Sequence, residues 1–497
     1  MESERGKKAS RHRGTKARRH GTKKSAVSES ERPMSHTSIS MTAPPETYRR
    51  RRAVLASHLN RPIVIFAGQP RARQYPTNMH PFRAGSNYLY FGGPPMAGCA
   101  LLIEPGSDGE NGCTLVRPVV GFDDAVWTGE PPTDDAFAAA AGVCTGALLA
   151  PDQVGDRFSG RIAAYIAPPC LPTVEWAKSL GLQPADPDEI QTIIDLRLIK
   201  DEHELKAMRF AAKVGVEAHR AAMRATKPGR GEADVAAAFL QVLTAHRCIE
   251  SFSSIVTVHG EVLHSEGNPN QLEAGRLLLV DAGAEEPGGY ASDITRTYPV
   301  NGEFTPIQRQ LYDTVLRAER AAIAACVPGK RYRDVHDIAA RAICEGLVQA
   351  GVLKGDPAEL TARCAHTLFF THGVGHLIGL DVHDMEDFGD QAGYASGRKR
   401  RPEFGNKFLR LDRDLAPGMT VTIEPGFYVV PVIWRNEEFI APFADVVNRK
   451  TIAAFVKAEF GGIRIEETVH VRASGGPEIL SADLPNDADA VAAIVGS

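Results

Sequence analysis

The chain has 497 residues, of which 43% are hydrophobic and 24% charged, with a formal net charge of −4. That length implies two or three domains, that balance a soluble globular protein, and that charge no particular partner. No apolar stretch is long enough to span a membrane. The eight cysteines are scattered and form no CxxC pair, so they read as reduced thiols, many buried, in a reducing and therefore cytoplasmic setting.

The N-terminal stretch stands apart. Met1–Lys24 carries ten Lys or Arg against two Glu, and Ser- and Pro-containing sequence follows to about Pro45. Such a segment cannot bury enough surface to fold, so residues 1–46 are expected to form a disordered basic tail. A polybasic contact to nucleic acid or an anionic surface is the sharper alternative. The segment has no apolar core of a secretory signal and no amphipathic targeting helix.

Tyr48–Leu59 has helical spacing, with Val54, Leu55 and Leu59 on one face. Pro62–Gly68 and Gly98–Ile103 read as short buried strands. Alternating strands and helices continue to about Asp195, giving a small α/β domain over 47–195. The boundary is expected at Asp195–Lys200. Asp201 then caps a helix and Glu204 completes a capping box. Leu205, Met208, Ala212 and Val216 form that helix's buried stripe, which ends near Ala225, before Pro228-Gly229.

A weak repeat runs through the remaining domain, residues 196–490. Pro228-Gly229-Arg230 followed by Asp234-Val235 recurs as Pro328-Gly329-Lys330 followed by Asp334-Val335, each between helical patterns. The helix ahead of the second copy opens at Thr305-Pro306, with Ile307, Leu311 and Val315 facing inward. The acidic motifs repeat too. Leu277–Val280 leads into Asp281-Ala282-Gly283, and Thr420–Ile423 leads into Glu424-Pro425-Gly426. Each half then returns on a second strand with another carboxylate, Asp293 or Glu466. Side chains alternate between strand faces, so two adjacent strands can aim single carboxylates at one point.

Taken singly, these acids have ordinary explanations. Asp281 and Glu424 could sit in strand-end turns. Asp293 and Glu466 lie near Arg296 and Arg464 and could form structural ion pairs. Together they cannot all be explained so. Acids that end apolar runs are buried, buried carboxylates need a cation or donors, and one Arg cannot serve four. His376, in His372-Gly373-Val374-Gly375-His376, adds one nitrogen to the oxygens. Such a set favours manganese or a similar ion over structural zinc, and two such ions point to hydrolysis. The glycines between His372 and His376 disfavour a zinc-binding helix, and HExxH is absent. There is no P-loop, no convincing dinucleotide fingerprint, and no partner set for a Ser or Cys nucleophile.

These five motifs, in this order, resemble the Xaa-Pro aminopeptidase (aminopeptidase P) and prolidase group of dinuclear metallopeptidases. The catalytic resemblance spans roughly 196–475. His80-Pro81-Phe82-Arg83 and Tyr88-Leu89-Tyr90-Phe91-Gly92-Gly93 resemble the group's N-terminal domain. The resemblance implies an α/β (α+β) chain, with a small N-terminal α/β domain followed by a pseudo-symmetric pita-bread catalytic domain. It implies two divalent metal ions, manganese expected. Asp293 and Glu466 would bridge them, Asp281 would complete one shell, and His376 and Glu424 the other. Glu424 would also shuttle the proton. By the same resemblance His264 and His383 would contact substrate and stabilise the oxyanion. His372 would shape the pocket or support a ligand, Tyr428 would lie near the substrate, and Arg464 would organise the site.

Two features depart from the commonest pattern. Asp281 and Asp293 are twelve positions apart, one more than usual, which a Pro287-Gly288-Gly289 turn could absorb. The spacings of 48 from His376 to Glu424 and 42 from Glu424 to Glu466 are long and resemble prolidases. The expected activity is release of the first residue from peptides with proline second, by a homo-oligomer (dimer or tetramer) that binds no nucleic acid through its folded domains. A dipeptidase limited to Xaa-Pro and a metal-free peptide-binding protein on the same fold are the alternatives. The last would be marked by a missing ligand, and all five are present.

Overall fold

The computed structural model describes residues 39–497. Most of the expected basic tail, residues 1–38, lies outside them. Residues 39–46 are described and are packed. Ala43 is buried and its N–H donates to the Tyr48 hydroxyl at 2.9 Å, while Ile39 packs against the N-terminal core. The first helix, Pro45–His58, opens with proline in its first turn. Its inner face differs from the expected one. Leu55 and Leu59 are buried, but Val54 is exposed, and Arg51 and Arg52 turn inward instead. Arg52 is tolerated there because its guanidinium donates to the carbonyls of Phe91, Gly109, Ala141 and Gly142.

The first sheet has six strands: β1 (Ile63–Phe66), β2 (Ala100–Ile103), β3 (Cys113–Val116), β4 (Leu148–Leu149), β5 (Ala164–Ile166) and β6 (Gln183–Pro184). Their order is β4-β3-β2-β1-β5-β6. The three hydrophobic strands β1–β3 are antiparallel neighbours, and β4, β5 and β6 pair in parallel. The helix Pro187–Leu198 then runs through the position expected for the boundary, started by a capping box on Asp186 and Glu189. The chain breaks only at Ile199–Asp201, where Asp201 and Glu204 form the expected box for Glu202–Ala225. Leu205, Met208, Ala212 and Val216 are all buried on that helix. Each of the larger ones contributes about 1.5–3 kcal/mol by leaving water.

The two copies of the Pro-Gly repeat make matching contacts. Gly229 N donates to Leu272 O and Leu272 N to Arg230 O; Gly329 N donates to Leu415 O and Leu415 N to Lys330 O. Each copy joins a helix pair, Glu202–Ala225 with Glu232–Ala245, or Pro306–Ala324 with Tyr332–Gln349. Each pair has its own strands, a three-stranded sheet and a two-stranded one. The first set is β7 (Ile249–Glu250), β8 (Ile255–Thr257), β9 (Leu277–Ala282), β10 (Ala284–Glu285) and β11 (Ile294–Pro299), arranged as β11-β9-β8 and β10-β7. The second set is β12 (Thr420–Ile423), β13 (Gly426–Tyr428), β14 (Gly462–Arg464), β15 (Glu467–His470) and β16 (Glu478–Ile479), arranged as β12-β15-β16 and β13-β14. A bridge between Thr295 and Glu466 joins the halves. The long segment between Glu424 and Glu466 holds the short helices Pro431–Trp434, Glu437–Ile440 and Arg449–Lys457. All eight cysteines are free thiols, five of them buried.

Candidate metal centre

The site forms where the halves meet. Asp281 lies near the end of β9, opposite Thr295, and Asp293 stands immediately before β11. The Pro287-Gly288-Gly289 turn closes with Gly289 N donating to Glu286 O at 2.8 Å. It leaves the six paired positions of β9 and β11 unbroken, so the extra residue does not reach the strands. Glu424 follows β12, and Glu466 stands between β14 and β15, with its N–H donating to Thr295 O at 3.1 Å.

His376 arrives on a loop that lies along β12. Thr422 N donates to His376 O at 2.9 Å, His376 N to Thr422 Oγ1 at 3.1 Å, and Glu424 N to Val374 O at 2.8 Å. Gly375 makes this possible. Its φ is +151°, and a Cβ there would stand 2.2 Å from Thr422 O. The imidazole donates from Nδ1 to Leu377 O at 2.9 Å, which leaves Nε2 as the free lone pair. Nε2 is 3.5 Å from Asp293 Oδ2 and 3.6 Å from Glu424 Oε1. Asp293, His376 and Glu466 are buried, and one ligand atom of each lies within 4.8 Å of the other two, close enough to hold one metal ion.

The remaining contacts orient these groups. Glu466 Oε2 accepts from Thr295 Oγ1 at 2.7 Å. Arg464, 4% exposed, donates to Asp281 Oδ2 at 2.5 Å, to Tyr428 Oη at 2.8 Å and to Thr295 Oγ1 at 3.2 Å. The ion pairs suggested by sequence proximity are therefore exchanged: Arg464 serves Asp281, and Arg296 serves Glu467 on the opposite strand face. Tyr428, expected beside the substrate, is fully buried, and its hydroxyl links Arg464 to His372 Nε2 at 2.9 Å. His372 Nδ1 donates to Gly373 O at 2.8 Å and lies 3.6 Å from Glu424 Oε2.

His383 stands against His376, with ring centres 4.2 Å apart, and its Nδ1 is 2.6 Å from Glu386 Oε2. His264 is exposed on a loop whose Leu263 packs beside Tyr428, and no hydrogen bond ties it to the other site residues. Sequence reasoning missed Arg410, which pairs with Glu386 and so stands behind His383. Nothing local in Leu409-Arg410-Leu411 marks it.

The charge balance bears on what the site can hold. Burial pushes the Asp293 and Glu466 carboxyls well above the usual range, and neighbouring acids push them further. Burial, reinforced by Asp293 and Asp281 and opposed by Arg464, raises Glu424 to about 8. Burial lowers His376 to about 4, and His376 together with burial lowers His383 to about 3. Burial opposes the charge of Arg464, but Tyr428, Asp281, Glu424 and Glu466 more than offset it. One guanidinium thus faces four acids, of which Asp281, Asp293 and Glu466 are buried and Glu424 is partly so. Asp281 Oδ1 and Asp293 Oδ1 have no hydrogen-bond partner at all. Orphaned carboxylate oxygens around a free imidazole lone pair fit hard divalent cations, which would supply the missing positive charge.

The sequence matches the profile of metallopeptidase family M24 over residues 206–473 and that of the aminopeptidase P N-terminal domain over 48–150. It is 30% identical to the Xaa-Pro aminopeptidase of Escherichia coli over 406 residues, 78% of this chain and 87% of that one. It is 36% identical to the human Xaa-Pro dipeptidase over 296 residues, a match that spans 57% of each chain. Among solved structures, proline aminopeptidase P II from Yersinia pestis superposes with a TM-score of 0.75 at 28% identity, covering 91% of this chain and 99% of that one. Aminopeptidase P from E. coli with the inhibitor Pro-Leu gives a TM-score of 0.75 at 27% identity, covering 91% and 98%. The chain therefore belongs to the aminopeptidase P family, within the pita-bread metallopeptidases of family M24.

Proposed function

We propose that this metal-dependent hydrolase of the N-terminal Xaa-Pro bond acts on peptides longer than two residues, and that it does so with two divalent cations, manganese in preference. The observation that carries the reading is the buried acid constellation with its orphaned oxygens, on a chain aligned over most of its length with Xaa-Pro aminopeptidases. Asp281, Asp293, His376, Glu424 and Glu466 would hold the pair, with Asp293 and Glu466 shared. When bound, such cations ionise water at neutral pH and polarise a carbonyl. An Xaa-Pro bond has no N–H and a rigid ring, so a dedicated pocket is needed to cleave it.

The chain's own groups do the rest. Glu424 takes the proton of the attacking water and passes it to the leaving proline nitrogen. His383 meets the carbonyl oxygen. With Glu386 accepting at Nδ1, its other nitrogen can donate only when the ring is doubly protonated, a state that negative charge developing on the oxygen favours. His264 contacts the substrate from the exposed loop. His372, held by Tyr428, shapes the proline side of the pocket, and Arg464 orients Asp281. We further propose a homo-oligomer acting in the cytoplasm, with no nucleic-acid partner for the folded domains. Among the described residues no helix is long and apolar enough to cross a membrane.

Arg410 favours a second reading. A guanidinium beside the His383–Glu386 pair could take the free carboxylate of an Xaa-Pro dipeptide. Matched Xaa-Pro and Xaa-Pro-Xaa substrates decide between the two. Cleavage of the tripeptide with the higher kcat/KM supports the aminopeptidase; cleavage of the dipeptide alone, lost in Arg410→Ala, supports the dipeptidase. Chelation should abolish both activities and Mn²⁺ should restore them better than Ca²⁺. Fully active enzyme with fewer than about one metal per chain would contradict the two-metal reading.

A further inference from the structure

The His80-Pro81-Phe82-Arg83 motif lies in the N-terminal domain, and nothing in the chemistry above uses it. Its arginine reaches out of that domain into both halves of the catalytic one. Arg83 Nε donates to Glu285 Oε1 at 3.1 Å, and Nη2 donates to Gly289 O at 3.3 Å and to Leu380 O. Nη1 donates to Ala84 O at 3.1 Å and to Ser86 Oγ at 2.6 Å, which anchors the fork in its own domain. Glu285 and Gly289 belong to the loop that joins Asp281 to Asp293. Leu380 begins the loop that carries His383.

The two loops also touch directly, through Ala291 N donating to Gly379 O at 2.8 Å. The junction leaves no spare room. Gly289 has φ +98°, and a Cβ there would meet Leu89, Arg83 and Leu380 at 3.1–3.3 Å. The apolar side of the contact is continuous with the N-terminal core: Tyr290, Ala291, Ile378 and Leu380 are buried together with Tyr88, Tyr90 and Phe91.

A second set of bonds pins the His383 loop from the same direction. Ser86 Oγ donates to Asp381 Oδ1 at 2.6 Å. Asn87 Oδ1 accepts from Arg197 at 2.6 Å, and Arg197 in turn donates to Asp381 at 3.1 Å and to Asp384 at 2.7 Å. Lys200 Nζ closes on the other Asp384 oxygen at 2.8 Å. Arg197, Lys200 and Asp384 have side chains only 1–2% exposed. His383 is thus flanked, at positions 381 and 384, by two carboxylates whose partners lie in the helix 187–198, at Lys200 and in the N-terminal domain.

We propose that Arg83 is a positioning residue for the hydrolysis: from the N-terminal domain it fixes the loop between Asp281 and Asp293 relative to the loop bearing His383. A planar guanidinium suits this task, because it has five donors in a fixed fork and can serve three segments at once. An ammonium at the same place could not span them. The inference rests on His383 acting at the substrate oxygen, where a misplacement of about 1 Å can cost a rate factor of roughly 100. Arg197 is unsuited to the test. Its loss would halve the cationic partners of the buried Asp384, leaving Lys200 alone against it, and risk unfolding. Arg83 has a side chain 29% exposed and can be removed more safely.

The experiment compares Arg83→Ala, Arg83→Lys, Ser86→Ala, the double variant Arg83→Ala with Ser86→Ala, and His383→Ala in the manganese-loaded full-length enzyme, on an Xaa-Pro-Xaa peptide. Expected for Arg83→Ala is a kcat at least about tenfold lower with KM changed less than about threefold, and with metal content and melting temperature near those of the parent. Arg83→Lys should stay low, added guanidinium should recover part of the Arg83→Ala loss, and the effects of Arg83→Ala and Ser86→Ala should be non-additive. A kcat within twofold of the parent overturns the proposal. So does a loss that guanidinium cannot recover and that tracks falling metal content or melting temperature. If His383→Ala itself retains parental kcat, the functional reading fails; if His383→Ala is impaired and Arg83→Ala is not, only the present inference fails.

Discussion

The two halves of the catalytic domain start from the same plan, a helix pair joined at a Pro-Gly turn and a small sheet with two carboxylates, yet they do different work. In the first half Asp281 lies within, and Asp293 immediately before, one uninterrupted antiparallel ladder, six residues long on each strand. The segment between them holds only β10 and the Pro287-Gly288-Gly289 turn. In the second half, Glu424 and Glu466 are separated by an insertion with three short helices, and a loop bearing His372, His376 and His383 lies along β12. The first half contributes two carboxylates on one hairpin, and the second contributes two carboxylates together with His372, His376 and His383.

The comparison is broken most directly at Asp293. Asp293→Asn removes a carboxylate that the two-metal reading shares between both ions, and metal content and hydrolysis should be lost together while the fold persists. Two ions retained in the variant, measured by elemental analysis, would mean that the first half does not hold the pair. The next largest effect belongs to the second half. His383→Ala should keep its metal and its melting temperature and lower kcat by about 100-fold, as for other oxyanion donors. If it merely packs against His376, kcat should stay near parental or the melting temperature should fall first.

A smaller effect sharpens the electrostatic side. In metal-free protein the folded pKa of Glu424 is raised to about 8 by burial and by Asp293 and Asp281, while an unfolded glutamate titrates near about 4.3. The folded state then binds the proton more tightly than the unfolded state. Stability is fully present below the unfolded value and declines as pH rises towards 8. Asp293 and Glu466 act in the same direction. Thermal melts of chelated protein at pH 5 to 8 should show a falling midpoint, and Mn²⁺ should raise the midpoint more at pH 8 than at pH 5. A flat profile would mean that the acids are relieved by something other than the cation. The smallest effect concerns residues 1–38. Deleting them should leave kcat/KM unchanged, whereas a deletion through Pro45 also removes Ala43 and its bond to Tyr48 and should cost stability. A loss of activity on the shorter deletion, with the fold intact, would bring the basic segment into the site or the assembly.

Much of this molecule is decided locally. The capping boxes at Asp201 and Thr305, the apolar stripe of Glu202–Ala225 and the strands ending at Asp281 and Glu424 each depend on neighbours within a few positions, so they are legible in the chain itself. The metal-ligand set was legible for a different reason: buried carboxylates are costly, and four of them with one histidine, in this order, resemble the ligand motifs of a known family. Partnership across the fold was not legible. Proximity in sequence paired Arg296 with Asp293 and Arg464 with Glu466, but strand alternation and the meeting of two sheets gave Arg464 to Asp281 and Arg296 to Glu467. The same holds for Tyr428, whose pattern could not say that it would be sealed behind His372, and for Arg410 and Arg83, whose partners lie 24 and about 200 to 300 positions away. A local pattern reports what a residue needs. Which group meets that need is settled only when distant segments are brought within about 3 Å of each other, the reach of a hydrogen bond.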